Sequence, residues 1–549
     1  MSRVLLTLAT LSGALLATQM TASAAAGTVG SGVTSISAPV LVTVNGGQGF
    51  GDRPRNETSI AVDPTNPNTV LGSANDYIVG DSSCGVYWSR DGGRSWADSI
   101  LPGHQFSVDA TLPQPLPTGT GVSPQVHSRY DLSGDPGVGF DAQGNAYYVC
   151  LTANRPEDDG SIFASTALKG TFGFNRPVRI DTGFTPVLFN DKPSITVDPT
   201  VGKPSSGKVY VFYTKFLALT GTLILESQSS DQGRTFTQPR TITNLGQASA
   251  SGTSAGVGPN GEVYVAYEND TKNLSGTGVS EIDVQVSRDG GASFSAPINA
   301  ADDHPVSGQI QHGVGRDNSF PTLVVDSSAT SPYSGRVYIA WTDAKDKHAD
   351  IRFTSSTNGG ASWAKPKKLN DDNPDNVAAD HVFPGLAVAP DGFLAADWPI
   401  DQRDDPTKGF YHPYYTESLD GGTTFRPNVS LAPGQLSDPL NADFQGQFVG
   451  DYNGLTADNT AVHPLWVAAG LDQARDGKHE VLFTNIMPRG VTPVPVLSTL
   501  PTMSQLASSP LAYATLVAGA GLWLLTRRRR RRLPRTLAAP VERVGQLNR

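Results

Sequence analysis

An eight-residue motif that recurs along the chain constrains the fold more than any other feature. It reads "SRDGGRSW" at Ser89–Trp96 and returns as "SSDQGRTF", "SRDGGASF", "STNGGASW" and "SLDGGTTF" from Ser229, Ser287, Ser356 and Ser418. From the second copy onward the copies start 58 to 69 residues apart, and the first gap, 140 residues, equals about two periods. A degraded copy from Ser165 falls inside that gap. Self-similarity at a fixed period indicates a repeat architecture.

Two further elements recur with this octet. A short apolar segment precedes it in each unit, as in "SIAVDP" from Ser59 and "SITVDP" from Ser194, and seven such segments occur. An alternating segment rich in β-branched and aromatic residues follows, as in "KVYVFYTK" from Lys208. Alternation with period 2 and frequent turn residues predict strands. Each unit therefore holds about four strands, two of them joined by the octet in a hairpin.

The units together predict an all-β chain. Seven units of about 63 residues fit between residues 50 and 490, and four-stranded units repeated radially are the blades of a β-propeller. Six blades is the alternative, because the last unit carries no octet, and a stacked solenoid is the second alternative architecture. High glycine (58) and proline (40) content suits a turn-rich β protein, and a hydrophobic content of 38% argues against disorder.

The residue types of the octet predict a structural turn. Gly93 can supply the positive φ that a tight hairpin needs. Asp91 can accept hydrogen bonds from the turn amides, Ser89 can brace it, and Trp96 can fill the gap between neighbouring sheets. The equivalent acceptors are Asp231, Asp289, Asn358 and Asp420.

The octet resembles the Asp-box, or BNR repeat, of the sialidase superfamily. Five copies at propeller spacing carry the resemblance, which covers residues 50–490 and extends to bacterial exported sialidase-like proteins. It implies a protein that acts on glycans or glycoproteins, and the enzyme activity it indicates is that of an exo-α-sialidase or a related glycoside hydrolase. The residues leave open whether the chain is an enzyme. The alternative function is a non-catalytic surface propeller that binds glycan or protein.

The resemblance also implies site residues at the ends of the blades away from the octets. Sialidases hold the substrate carboxylate with three arginines, and the candidates here are Arg55, Arg316 and Arg403. Sialidases also use a tyrosine nucleophile assisted by a glutamate, and the candidates here are Tyr452 and Glu57. The candidate for the catalytic acid is Asp76. Arginine binds a carboxylate in bidentate fashion, and a tyrosine nucleophile avoids bringing two carboxylates together. For each arginine the structural alternative is a salt bridge.

The ends of the chain predict export and membrane anchoring. Residues 1–25 match a secretory signal peptide, and 26–49 form a linker or strand before the propeller. A linker at 491–510 contains "LPTMSQ", which resembles a sorting signal. An apolar stretch at 511–526 predicts a transmembrane helix, and the arginine-rich tail at 527–549 is expected to stay in the cytoplasm. The propeller is then expected at the cell surface or membrane-anchored on the outer side, with cleavage of the tail as the alternative to a permanent anchor.

Charge and composition limit the partners. The tail carries nine arginines and one glutamate, so with a total of −10 the remainder of the chain carries about −18. Such a domain is not expected to bind nucleic acid.

Cys84 and Cys150 form a disulfide or remain buried thiols. No histidine spacing predicts a metal site and no cofactor is required, although the oxygen-rich segment "NDDNPDN" from Asn370 suits a Ca²⁺ loop as well as a solvated turn.

Overall fold

A computed structural model of the chain describes most of the repeat region. The described residues are 35–43, 54–78, 82–101, 132–154, 159–171, 173–174, 177–185, 187–218, 220–244, 249–306, 317–345, 348–372, 379–405, 409–434, 436–437, 449–468 and 480–487. Residues 1–494 and 495–549 form separate units, and the second unit lies outside the described residues, as do the predicted signal peptide, transmembrane helix and tail.

The predicted seven-bladed β-propeller is confirmed. The described strands form seven sheets, and the innermost strand of each sheet contacts the innermost strands of the next and previous sheets until the last meets the first. Within the described ranges the helical structure is a single 3₁₀ turn at Asn273–Ser275, and no helix there is long and apolar enough to cross a membrane.

The first three blades follow each other in chain order. Blade 1 consists of β3 (Arg55–Val62), β4 (Val70–Asp76), β5 (Ser83–Ser89) and β6 (Ala97–Ile100). Blade 2 consists of β7 (Leu132–Phe140), β8 (Ala146–Asn154), β9 (Asp159–Ala167) and β10 (Val178–Thr182). Blade 3 consists of β11 (Phe184–Thr185), β12 (Leu188–Val197), β13 (Val209–Leu217), β14 (Gly221–Ser229) and β15 (Arg240–Thr241).

Blades 4 to 6 continue the same pattern. Blade 4 consists of β16 (Ala250–Val257), β17 (Val263–Asn269), β18 (Ser280–Ser287) and β19 (Ile298–Asp303). Blade 5 consists of β20 (Thr322–Val325), β21 (Val337–Asp343), β22 (Asp350–Ser356) and β23 (Lys367–Lys368). Blade 6 consists of β24 (His381–Val382), β25 (Gly385–Val388), β26 (Leu394–Asp405), β27 (Phe410–Ser418) and β28 (Val429–Ser430).

Blade 7 is assembled from both ends of the repeat region. It contains β29 (Gly454–Ala457), β30 (Val462–Ala468), β31 (Glu480–Phe483) and β32 (Ile486–Met487), together with β1 (Ser35–Ile36) and β2 (Val40–Leu41). The outer strand β2 pairs with β31, and β1 pairs with β32. Because the fourth strand arrives from the N-terminal side, no hairpin joins it to β31. The last unit therefore needs no octet.

The octets link the third and fourth strands of a blade, at the end opposite the start of the first strand. Ser89 opens the first octet and pairs with Val70. Val70 in turn pairs with Val62, which ends β3, whereas Arg55 begins it. Asp91 accepts hydrogen bonds from the Ser95 amide (2.9 Å) and hydroxyl (2.6 Å). The Ser89 hydroxyl accepts one from the Gly93 amide (2.8 Å), and Gly93 has φ 84°.

The other octets repeat these contacts. Their acceptor residues take the amide of the residue four positions on, at 2.8 to 3.0 Å; these are Asp231, Asp289, Asn358 and Asp420. The aromatic residue that ends each octet packs on the preceding blade. Trp96 packs with Phe483 of blade 7, Phe294 with Phe212 of blade 3, and Phe425 with Phe353 of blade 5.

Candidate functional site

The channel mouth lies at the start of the seven innermost strands. In each blade, one residue lies two positions before the first residue of the apolar segment. We call these seven residues the rim positions: Glu57, Asp135, Lys192, Gly252, Phe320, Phe383 and Tyr452. In blades 1 to 4 the pairing of the first strand shifts register at this point, as in a β-bulge. The bulge places one residue of each of these blades at the mouth.

Four rim positions hold side chains in the left-handed region. Glu57 has φ 59°, Asp135 has φ 53°, Lys192 has φ 43° and Phe383 has φ 65°. Residues other than glycine rarely adopt this backbone conformation, and such strain concentrates at functional sites. The channel mouth is therefore the first place to look for a site.

A cavity of about 230 Å³ lies inside the mouth, lined by all seven innermost strands and by Lys192 and Tyr452. Hydroxyl groups of Ser59, Ser194 and Thr322 contribute to its wall. A second cavity of similar volume follows further along the channel, and valines such as Val197 and Val325 line it. Thr196, Ser327 and Thr456 also line the second cavity, so polar groups continue along the channel.

Lys192 crosses the channel. Its Nζ lies 4.2 Å from the ring centroid of Tyr452 in blade 7 and 5.4 Å from that of Phe320 in blade 5, although Lys192 itself belongs to blade 3. Burial lowers the pKa of Lys192, and it outweighs the opposing effect of the carboxylates of Asp135 and Asp451. The side chain joins three blades across the axis.

Tyr452 faces the same space. Burial raises the pKa of its phenol well above the usual range, and the carboxylates of Glu57, Asp135 and Asp451 raise it further. Its Oη makes no hydrogen bond within the described part of the chain. The phenol is therefore protonated at neutral pH, and its buried hydroxyl keeps its donor and acceptor capacity unused.

A hydrogen-bond chain fixes the acidic side of the mouth. The Asn75 side-chain amide donates to Glu57 Oε2 (2.8 Å), and its Oδ1 accepts from the Asp135 amide (2.7 Å). Asp135 Oδ2 in turn accepts from the Lys192 amide (3.0 Å). These contacts link blades 1, 2 and 3, so three rim positions are held in fixed relation to one another. Tyr77 lies beside this group, and burial together with Glu57 raises its pKa to about 12.

Two of the predicted site residues pair with each other. Arg55 Nε lies 3.2 Å from Asp76 Oδ1, and both side chains are buried. The other oxygen of Asp76 accepts a hydrogen bond from the Tyr87 hydroxyl (3.0 Å). The structure thus places the predicted carboxylate-binding arginine and the predicted acid in one ion pair inside blade 1.

The other two arginines do not line the described cavity. Arg403 contacts Asp401 (2.8 Å) and Asp371 (2.7 Å), and its guanidinium lies 4.1 Å from the ring centroid of Tyr414 in blade 6. Arg316 lies outside the described residues. Of the predicted residues, the structure brings Tyr452 and Glu57 together at the mouth and holds Arg55, Asp76 and Arg403 in ion pairs.

Sequence reasoning assigned no role to Lys192, although the signal was present. Aligning the seven apolar segments places Lys192 two residues before "SITVDP", as Glu57 stands before "SIAVDP" and Tyr452 before "GLTADN". Equivalent positions in a radial repeat converge on the axis. The register of the repeat therefore identifies the rim without any motif.

The cysteines and the oxygen-rich segment lie elsewhere. The structure joins Cys84 of β5 to Cys150 of β8 in a disulfide with a Cα–Cα distance of 6.6 Å, which links blades 1 and 2. Residues 373–376 of the Ca²⁺ candidate lie outside the described residues, and Asp371 is paired with Arg403. Among the described residues no three His, Cys, Asp or Glu side chains are placed to hold a metal ion.

Comparison with known proteins returned structures and no sequence relatives. No protein-family model and no curated protein matches the sequence. Solved structures similar to this chain include a Hadza microbial sialidase, with 12% identity, a TM-score of 0.43 and coverage of 76% of this chain and 73% of that one. They also include an α-L-arabinofuranosidase of Fusarium graminearum, with 11% identity, a TM-score of 0.42 and coverage of 82% and 98%.

A third similar structure is the intramolecular trans-sialidase from Ruminococcus gnavus, with 12% identity, a TM-score of 0.39 and coverage of 82% and 97%. The fold itself is defined by the seven sheets and their cyclic contacts. The chain is a seven-bladed β-propeller, and the solved structures similar to it include sialidases and an α-L-arabinofuranosidase.

Proposed function

We propose that this protein is a glycan-binding propeller that takes its ligand at the channel mouth. The observation that carries the proposal is that Tyr452 and Lys192 line one cavity of about 230 Å³, with the carboxylate of Glu57 acting electrostatically on both. Sugar hydroxyls need both donors and acceptors, and the mouth offers a phenol, an amine and carboxylates on a fixed frame. The resemblance of the octets to those of glycan-acting propellers points to the same ligand class.

The charge of the mouth favours a neutral glycan. Glu57, Asp135, Asp191 and Asp451 all act on Lys192, so carboxylates outnumber the single amine. A sialic acid would bring another carboxylate, and bidentate recognition of a carboxylate requires arginine. The described lining of the cavity contains none, and Arg55 is held by an acidic partner. We therefore favour binding of a neutral glycan over hydrolysis of a sialoside.

Hydrolysis is the second candidate, because Tyr452 and Glu57 share the mouth. After burial, the carboxylate of Glu57 is the largest influence that raises the pKa of the Tyr452 phenol, and a carboxylate near a tyrosine nucleophile can serve as its base. Asp76 is paired with Arg55, so a proton for the leaving group would have to come from another rim carboxyl, such as Asp135. The same site thus serves either function.

The proposed place of action is outside the cytoplasm, on a membrane anchor. The signal-like residues 1–25, the apolar residues 511–526 and the arginine-rich tail support this location. A disulfide between Cys84 and Cys150 suits an oxidising compartment. Protease digestion of intact cells tests the location: loss of the propeller with retention of the tail is expected, and full protection would contradict it.

A glycan array tests the function. The purified full chain is expected to bind neutral glycans in preference to sialylated ones. Tyr452→Phe removes one unpartnered hydroxyl and should weaken binding about tenfold, in line with the ~1.4 kcal/mol of one hydrogen bond. Asp289→Asn, in an octet on the opposite face, is the control and should bind as the wild type does.

Several outcomes would contradict the proposal. Absence of binding to any glycan would refute it, and a preference for sialosides would refute the assignment to neutral glycans. A parallel panel of aryl glycosides decides between binding and hydrolysis. Turnover by the wild type that disappears in Tyr452→Phe would establish the second candidate in place of the first.

A further inference from the structure

Lys192 differs from the other lysines in its contacts. Its Nζ makes no hydrogen bond or ion pair with any residue that the structure describes, and its nearest groups are the two aromatic rings. Several other described lysines have polar partners: Lys215 pairs with Asp181 (2.7 Å), Lys368 with Asp350 (3.3 Å), and Lys208 donates to the Gly290 carbonyl (3.1 Å). An amine without a polar partner in a channel has its lone pair available once it is neutral.

The groups around Lys192 have opposing effects on the pKa of its amine. The faces of Tyr452 and Phe320 and the carboxylates of Glu57, Asp135, Asp191 and Asp451 favour the ammonium form. Burial favours the neutral amine and prevails, so the pKa lies below that of an ordinary lysine. A larger share of Lys192 is therefore neutral at pH 7 than of an exposed lysine, and the neutral amine is the nucleophile.

Lys192 is accessible from the cavity, and its backbone conformation is strained. Lys192 is partly exposed and lines the cavity of about 230 Å³. Its left-handed backbone, with φ 43°, holds the side chain across the mouth. The hydroxyl-bearing wall from Ser194, Thr253 and Thr322 suits a small ligand that carries hydroxyl groups.

We propose that Lys192 is a nucleophilic amine that condenses with the carbonyl of a small polyhydroxy aldehyde at the channel mouth. The Nζ lone pair attacks the carbonyl carbon and forms a carbinolamine. Loss of its hydroxyl group, together with one proton from nitrogen, releases water and leaves an imine, with no change in oxidation state. Tyr452, whose Oη has no partner in the described part of the chain, donates the proton to the departing hydroxyl and regains one from nitrogen. This chemistry is independent of binding to intact glycans.

Reductive trapping tests the proposal. The purified full chain is incubated with glyceraldehyde and sodium cyanoborohydride at pH 7, digested, and analysed by peptide mass spectrometry. Lys192 is expected to carry more of the reduced adduct than the exposed lysines Lys169 and Lys203, since its lowered pKa leaves a larger share of the amine neutral at pH 7. This advantage should shrink at pH 10, where a substantial share of the exposed lysines is also neutral.

Two variants sharpen the test. Lys192→Arg should abolish the preferred adduct and leave labelling of the exposed lysines unchanged. Tyr452→Phe should slow formation of the adduct at Lys192 without changing its site, because the ring remains and the proton donor is lost. Labelling of Lys192 at or below the level of Lys169 and Lys203 at pH 7 would overturn the proposal.

Discussion

Removal of the aromatic side chain that closes the ring is expected to destabilise the whole propeller. Trp96 is 8% exposed, and its ring lies 5.0 Å from that of Phe483 in an edge-to-face arrangement. It packs in one buried cluster with Leu465 and Val481 of blade 7 as well as with residues of blade 1. This cluster lies where the first blade meets the last, so Trp96 contributes to the contact that makes the ring continuous.

The magnitude follows from the contacts. A buried Trp replaced by Ala typically costs 3–5 kcal/mol, roughly, through lost burial and the cavity left behind. The hydrogen bond from Trp96 Nε1 to the Gly93 carbonyl (3.0 Å) adds about 1 kcal/mol. We expect Trp96→Ala to lower the free energy of unfolding by about 4 kcal/mol. Urea titration followed by far-UV circular dichroism measures this change without relying on the fluorescence of the deleted residue.

A second octet supplies the matched control. Trp363 occupies the same motif position in blade 5, packs at the edge of the blade 4 cluster and is more exposed than Trp96. Trp363→Ala is expected to cost about 1–2 kcal/mol, since less of its surface is buried. A loss for Trp96→Ala that is no larger than the loss for Trp363→Ala would refute the role of Trp96 in ring closure.

Two further predictions concern charged residues away from the channel. Burial and the neighbouring Glu268 raise the pKa of Asp303 well above its usual range, and burial raises the pKa of Glu268 to about 8. Protonation of these two carboxyls therefore stabilises the fold fully below about pH 4, and this stabilisation is lost as pH rises through 8. The decline in stability between pH 5 and 8, on the order of 3 kcal/mol, should therefore become flatter in Asp303→Asn. The control Asp302→Asn, at an exposed residue, should leave the decline unchanged. An equally steep decline in the wild type and both variants, measured by urea titration, would contradict this. Arg403→Ala should cost about 2 kcal/mol, because the buried Asp401 carboxylate loses its charged hydrogen bonds from the Arg403 side chain and keeps His381 and Trp398 as partners. The variant should not change glycan binding, and loss of binding in a folded variant would place Arg403 at the site.

The fold was predictable because its determinants are local and repeated. The turn that Asp91 and Gly93 form needs only residues within the octet, so sequence alone reveals each blade. Blade 7 was harder, because its outer strand β2 comes from residues more than 400 positions before β31. The missing octet there raised the six-bladed alternative, and the distant pairing removes it.

The site was less predictable because pairing between distant residues decides which charges are available. Arg403 meets Asp371, 32 residues away in the chain, and Arg55 meets Asp76 across two strands. Nothing in the motifs around these arginines distinguishes a ligand contact from an ion pair. Lys192 was visible only through the register of the repeat, since its polar surroundings come from blades 1, 2 and 7.

The central claim is that the ligand site lies at the channel mouth and not at the octet face. The most direct measurement is a crystal structure of the protein with the glycan that binds best on the array. We predict a sugar inside the mouth, with a hydroxyl within hydrogen-bond distance of Tyr452 Oη and the Lys192 side chain displaced or in contact. A sugar bound at the octets, with the mouth containing only water, would contradict the account.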